Sequence, residues 1–288
     1  MLVALLICAA TLQLRAEDSS TNLPALYLIG DSTVRNSTKG QKGWGEVIAP
    51  YFDSQRLRVA NRALGGRSSR TFFAEGLWAK VLADLKAGDF VLMQFGHNDG
   101  GEIAKGDRPR ASLKGNGDDS QEVTVEMTGK QEVVHSYGWY LRQYISDTKA
   151  RGATPIVLSL VPRKIWRDGK IARASKDYGK WASEAAQAGG AAFVDLNEIV
   201  ARRYESLGTE KVAALFADEH THTNVEGAEL NAECVVAGLK GLKHSPLAGF
   251  LSKRALMLKA DRPPPPISQN DFAPSDHFVF NQHSIRTS

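Results

Sequence analysis

Ser32 closes the stretch Ala25 to Thr33, ALYLIGDST, in which an apolar run of strand length stops at a Gly-Asp-Ser-Thr turn. A serine at the carboxyl end of a strand has two physical uses. It can attack a carbonyl carbon if a base takes its proton, or its hydroxyl can cap the first turn of a helix. A base is offered far along the chain by Glu219-His220-Thr221-His222, with Asp218 one place earlier. An imidazole there can accept a hydroxyl proton, and a neighbouring carboxylate can hold its tautomer. His220 and His222 lie two residues apart, not the four of a zincin helix, and no cysteine-rich partner accompanies them, so a solvated turn is the competing reading. His97 beside Asp99 is a further pair, able to ligate or to satisfy backbone groups. The serine chemistry requires neither a metal nor an organic cofactor, and none is expected.

Those residues need a frame that brings chain-distant turns together. Continuous apolar runs predict strands at 25–29, 57–61, 89–95, 155–161 and 191–195. Helical periodicity fills the intervals: a short helix to Phe52, then 72–86, a helix from Gln131 striped by Val133, Val134, Tyr137, Tyr140, Leu141, Tyr144, Ile145 and Thr148 and closed by Gly152, then 174–188. A last helix is striped by Ala228 to Leu242, with Thr223 and Glu226 as its capping box. Alternating strands and helices predict βαβ units, hence an α/β three-layer sandwich with a flavodoxin-like, five-stranded parallel sheet. In such a sheet Ser32, Gly66 and Asn98 follow successive strands and share one edge, where ligands collect. Residues 100–130 are polar and Gly-rich, a long excursion with one short strand at Val123 to Met127.

The chain of 288 residues, 42% hydrophobic and 24% charged, suits one large domain. Met1 to Leu14 is apolar before Arg15 to Ser20 turns polar, so residues 1–16 read as a signal peptide and the protein as secreted or periplasmic. The catalytic domain would then run over 22–258, with a Pro-rich tail over 259–288. Cys8 falls in the signal, which leaves Cys234 alone and no intramolecular disulfide. The net charge of +4 is scattered, no nucleic-acid motif accompanies it, and no G-x-G-x-x-G turn follows the first strand. A polyanionic carbohydrate fits this balance as well as any acidic partner. No nucleic-acid partner is expected, nor a membrane once the signal is cleaved, and the chain is expected to be a monomer.

The turn motifs together resemble the four blocks of the SGNH (GDSL) hydrolase superfamily: Gly30-Asp31-Ser32, Gly66, Gly96-x-Asn98-Asp99 and a final acid-x-x-His. Longer stretches, Asn61 to Arg70, Gln94 to Asp99, Tyr137-Gly138-Trp139-Tyr140 and His220 to Asn224, are similar to the rhamnogalacturonan acetylesterases of carbohydrate esterase family 12. The resemblance covers about Leu26 to Leu242. It implies an SGNH hydrolase fold and a serine esterase that removes acetyl groups from an acetylated polysaccharide, pectic rhamnogalacturonan. It implies Ser32 as nucleophile, His222 as general base, and an oxyanion hole made by the Ser32 and Gly66 N–H groups and the Asn98 amide. The superfamily acid is an Asp three places before the His. Here that place holds Glu219, favoured by spacing, with Asp218 as the alternative and Asp218 with His220 as a third pairing.

Two other readings stay open at this stage: an SGNH esterase for another acetylated polymer such as xylan, and a non-catalytic carbohydrate-binding protein. The long excursion is expected to line the substrate groove. Arg67 and Arg70 are expected either to meet galacturonate carboxylates, or to be solvated at the surface or held by a carboxylate within the protein.

Overall fold

The computed structural model describes residues 23–263. The expected signal peptide and most of the Pro-rich tail lie outside them. The chain begins with β1 (Ala25–Gly30), two short 3₁₀ turns (Trp44–Glu46 and Ala49–Tyr51), and β2 (Arg58–Asn61). It continues through α1 (Ser69–Ala74), α2 (Leu77–Asp84), β3 (Phe90–Gln94), β4 (Ser120–Val125), β5 (Lys130–His135) and α3 (Tyr137–Ala150). Then come β6 (Thr154–Leu158), β7 (Trp166–Arg167), β8 (Lys170–Ile171), α4 (Tyr178–Gly189) and β9 (Ala192–Val194). The last elements are α5 (Leu196–Leu207), α6 (Thr209–Ala213), α7 (Val225–Gly241) and α8 (Lys253–Met257).

Five strands form one sheet in the order β2-β1-β3-β6-β9, every pair parallel. Side chains alternate between two cores, as the pleat requires. Leu26, Leu28, Leu92, Ile156 and Leu158 pack with Ile199, Val200, Tyr204, Val235 and Leu239 on one face. Tyr27, Ile29, Val91, Met93 and Val157 pack with Phe72, Trp78, Tyr140, Leu141, Tyr144 and Ala186 on the other. Burial on both faces is why these strands read as unbroken apolar runs rather than alternating ones. The chain reverses direction across the sheet between β1 and β3, and the crevice at the carboxyl ends of that pair is the usual ligand site of a doubly wound sheet. Ser32 follows β1 and Asn98 follows β3.

Several elements depart from the sequence expectation. No helix starts at Gln131: residues 130–135 are β5, paired antiparallel with β4 in a separate hairpin, and α3 starts at Tyr137 with Ser136 as its N-cap. Val133, placed on the helical stripe, is exposed on the hairpin, whereas Val134 is buried. The helix expected over 72–86 is two, broken at Gly76, whose φ of 72° is left-handed. The capping box of α7 is also different. Asn224 accepts from the Gly227 N–H, while the Thr223 hydroxyl donates to the Lys42 carbonyl. The hairpin β7-β8 and the helices α5 and α6 lay beyond the sequence reading. Gly152 does stand just beyond α3, with φ 71°. The first residues after Leu258 lie on the body: the Asp261 N–H donates to the Ala237 carbonyl, and its carboxylate pairs with Arg202.

Candidate active site

The chain stops abruptly after β1 because Gly30 has no room for a side chain. A Cβ there would lie 2.4 Å from the Gln94 carbonyl oxygen and 2.6 Å from Val34. Asp31 then folds the turn, its Oδ1 accepting the Thr33 N–H at 2.8 Å and the Thr33 hydroxyl at 2.7 Å. A buried polar chain continues inward: Gln94 Nε2 donates to Thr33 Oγ1 at 2.6 Å, and Trp44 Nε1 donates to Gln94 Oε1 at 2.9 Å. Asp31 Oδ2 is buried without a partner, but the bonds that run from Asp31 Oδ1 through Thr33 and Gln94 to Trp44 hold the turn, so Ser32 sits on a fixed platform. No helix begins at Ser32, which removes the capping role open to it in sequence.

Ser32 Oγ lies 2.8 Å from His222 Nε2. His222 Nδ1 lies 2.5 Å from Asp218 Oδ2. Asp218 Oδ1 also accepts the backbone N–H groups of His220, Thr221 and His222, at 3.1, 2.7 and 2.8 Å. Burial alone would raise the Asp218 pKa. The N–H groups of His222 and Thr221, with the His222 ring, outweigh it and hold the carboxyl below its ordinary range.

The preference for Glu219 by spacing is therefore corrected. Its side chain is 92% exposed and lies 3.6 Å from His220 Nδ1, away from His222. The reason is local: an Asp that accepts the N–H groups of the residues after it wraps the loop around itself. That turn brings residue 222 rather than residue 221 over its second oxygen. The His220 pairing with Asp218 is not formed through the ring. The loop is tied at both ends, by Ala217 N–H to the His222 carbonyl and by Thr223 to Lys42.

Gly66 and Asn98 line the same cleft as Ser32 and His222. Gly66 has φ 80°, a conformation costly for other residues. The Asn98 side-chain amide donates to the Arg67 carbonyl at 2.9 Å, which fixes the amide beside the Gly66 turn. Behind it Asp99 is fully buried and accepts from the Ser69 N–H, the Ser69 hydroxyl and the Ser112 hydroxyl. Burial outweighs those bonds and raises the Asp99 pKa to about 7. His97 is buried too, and burial lowers its pKa, so its ring is neutral. It is not paired with Asp99, whose oxygens are occupied by Ser69 and Ser112.

The cleft measures about 940 Å³, and the excursion supplies one wall through Arg108, Arg110, Val125, Met127 and Lys130. Arg70 is not a substrate-facing residue. It is 1% exposed, ion-paired with Glu132 at 2.9 Å and bonded to the Ile103 and Ala111 carbonyls, so it pins the excursion to α1. Arg67 pairs with Glu75 at 2.9 Å. Among the described residues no group of three or more His, Cys, Asp or Glu side chains is placed to hold a metal ion. Gln94, Trp44, Thr33 and Ser69 support the site, and although Thr33, Gln94 and Ser69 fall within the stretches quoted above, sequence alone assigned none of the four a role.

A model of the GDSL-like lipase/acylhydrolase family matches residues 28–230. The chain belongs to this family. This GDSL hydrolase is 35% identical to the rhamnogalacturonan acetylesterase of Emericella nidulans over 72% of its own length and 81% of that protein. It is 30% identical to a probable rhamnogalacturonan acetylesterase of Bacillus subtilis, over 75% of its own length and 93% of that one. Among solved structures, protein YxiM of Bacillus subtilis superposes with a TM-score of 0.60 at 26% identity, covering 76% of this chain and 56% of that longer chain. The parallel five-stranded sandwich is thus the SGNH fold, and this GDSL hydrolase is a carboxylic ester hydrolase.

Proposed function

We propose that this enzyme removes O-acetyl groups from pectic rhamnogalacturonan through an acetyl-Ser32 intermediate. The observation that carries the reading is the hydrogen-bonded line from Asp218 through His222 to Ser32 Oγ, opening on a wide cleft. His222 Nε2 would take the hydroxyl proton while Ser32 Oγ bonds to the acetyl carbon and the carbonyl electron pair moves onto oxygen. The resulting oxyanion would lie against the Ser32 and Gly66 N–H groups and the Asn98 amide. Asn98 commits one N–H to Arg67, so its plane is set and its other N–H is free to donate.

The His222 imidazolium would next protonate the sugar oxygen as the ester C–O bond breaks. Water, deprotonated by His222, would then attack acetyl-Ser32, releasing acetate and restoring the hydroxyl. Asp218 stays ionised across this cycle and faces the imidazolium that forms twice.

The substrate half of the proposal draws on the two relatives named for rhamnogalacturonan and on a cleft open enough for a polymer. It also places the enzyme outside the cytoplasm, where such a polymer is met. The test is acetate release from acetylated rhamnogalacturonan and from acetylated xylan at matched acetyl concentration. A higher kcat/KM on the pectic polymer supports the proposal, and a preference for xylan refutes its substrate half.

A further inference from the structure

Two of the arginines along the Ser32 cleft are neutralised within the protein, Arg67 by Glu75 and Arg70 by Glu132. The Asp218 carboxylate instead holds the His222 ring, which is neutral when it takes the serine proton. Among the described lining residues, Arg108, Arg110 and Lys130 have no carboxylate within ion-pair distance, and Asp107 is the one acid left unpaired beside them. A wall with three free cations and one free acid keeps a positive field facing the reacting serine.

Arg110 is the best placed of them. Its Nη1 donates to the Gly66 carbonyl at 3.0 Å, and its own carbonyl accepts the Ser68 hydroxyl at 2.5 Å. One edge of the guanidinium is thereby fixed beside the turn that bears Gly66, while the remaining donors are uncommitted. Arg108 stands two residues away on the same segment, where the Arg110 N–H meets the Arg108 carbonyl at 2.8 Å. That segment is rigidly held: Arg70 donates to the Ala111 carbonyl, and Ser112 is bound to Asp99 by both its N–H and its hydroxyl.

Burial, then the charge of Arg108, lowers the pKa of Arg110, and Arg163 adds to the same effect. These cations are crowded where a counter-ion would relieve them. A carboxylate offers two oxygens in the plane that a guanidinium fork matches, whereas a neutral sugar offers neither the charge nor the fork.

We infer that Arg108 and Arg110 form the subsite that takes a uronate carboxylate of the polymer, and so make the cleft selective for acidic over neutral acetylated polysaccharides. The inference rests on the reading of Ser32, His222 and Asp218 as the esterase centre.

The test compares acetate release from acetylated rhamnogalacturonan with release from the same polymer after its carboxylates are converted to methyl esters. The wild type, Arg108→Gln, Arg110→Gln and Ser32→Ala are measured on both. The wild type should lose about tenfold or more in kcat/KM on methylation, mostly through KM, and its preference for the acidic form should shrink as salt rises. Arg108→Gln and Arg110→Gln should narrow the gap between the two polymers to about threefold or less. Arg108 is exposed, so its variant tests the inference even if Arg110→Gln, which also loses the bond to Gly66, fails to fold. A wild type that treats the two polymers alike overturns the inference, as does an Arg108→Gln protein that keeps the full preference. Either result with Ser32→Ala inactive leaves the esterase reading standing. Activity that survives in Ser32→Ala removes that reading and the inference with it.

Discussion

Replacing the two candidate acids separately, as Asp218→Asn and Glu219→Gln, separates geometry from sequence spacing. An Asn at 218 retains one carbonyl oxygen, which can still accept the N–H groups of Thr221 and His222 that now lie 2.7 and 2.8 Å from Asp218 Oδ1. Its NH₂ then occupies the place of Oδ2 and points a donor at His222 Nδ1. Nδ1 must become the acceptor, so the proton moves to Nε2, the atom that has to receive the Ser32 proton. The ring stays in place but in the wrong tautomer, a change that costs on the order of 10⁴ in kcat in serine–histidine–aspartate sites. Glu219, 92% exposed, touches only His220, so Glu219→Gln should stay within about twofold of the wild type. Initial rates of 4-nitrophenyl acetate hydrolysis near neutral pH give both numbers, and circular dichroism confirms that each variant folds. If Asp218→Asn remains within tenfold of the wild type, or Glu219→Gln falls as far as Asp218→Asn, the assignment of the acid is refuted.

Three further outcomes follow from contacts around the site. Asn98→Ala removes a fixed donor beside Gly66 and should lower kcat by about 10² to 10³ with little change in KM; a change confined to KM would mean that the amide binds substrate rather than the oxyanion. Arg70→Met strips the partner from the half-buried Glu132 and from two carbonyls, and should cost about 3–5 kcal/mol in urea unfolding, whereas a loss below about 1 kcal/mol would contradict the pinning role. Asp99 has its folded pKa raised to about 7 from 3.8, so its contribution to stability is fully present below about pH 3.8 and is lost as pH rises through about 7. The melting temperature of the wild type should therefore fall relative to that of Asp99→Asn between about pH 4 and 7, and parallel curves would refute the buried protonated acid.

What the sequence made legible follows from how locally each feature is determined. The five sheet strands announce themselves because burial on both faces requires an apolar residue at nearly every position, as in Leu26 to Ile29 and Val91 to Met93. Ser32, Gly66 and Asn98 were readable as one edge because parallel topology alone puts them there. The β4-β5 hairpin was not readable, since five of the six β4 residues are not buried, and the adjacent pair Val133-Val134 mimics the helical stripe that truly starts at Tyr137. Asp218 and Glu219 differ by one place in a loop, and the choice depends on which carboxylate collects the following N–H groups, a detail of turn geometry rather than of spacing. Arg70 looks like a surface cation in a string of polar residues. It is buried only because Glu132 and the carbonyls of Ile103 and Ala111 converge on it from residues 33 to 62 positions away.

The most direct test of the account is the kcat of Ser32→Ala and His222→Ala for acetate release from acetylated rhamnogalacturonan, measured beside the wild type. Loss of either residue should lower kcat by on the order of 10⁴ to 10⁶, and the double variant should be hardly worse than either single one, because the two act as a unit. Activity within tenfold of the wild type in either single variant would contradict the claim that Ser32, activated by His222, performs the chemistry.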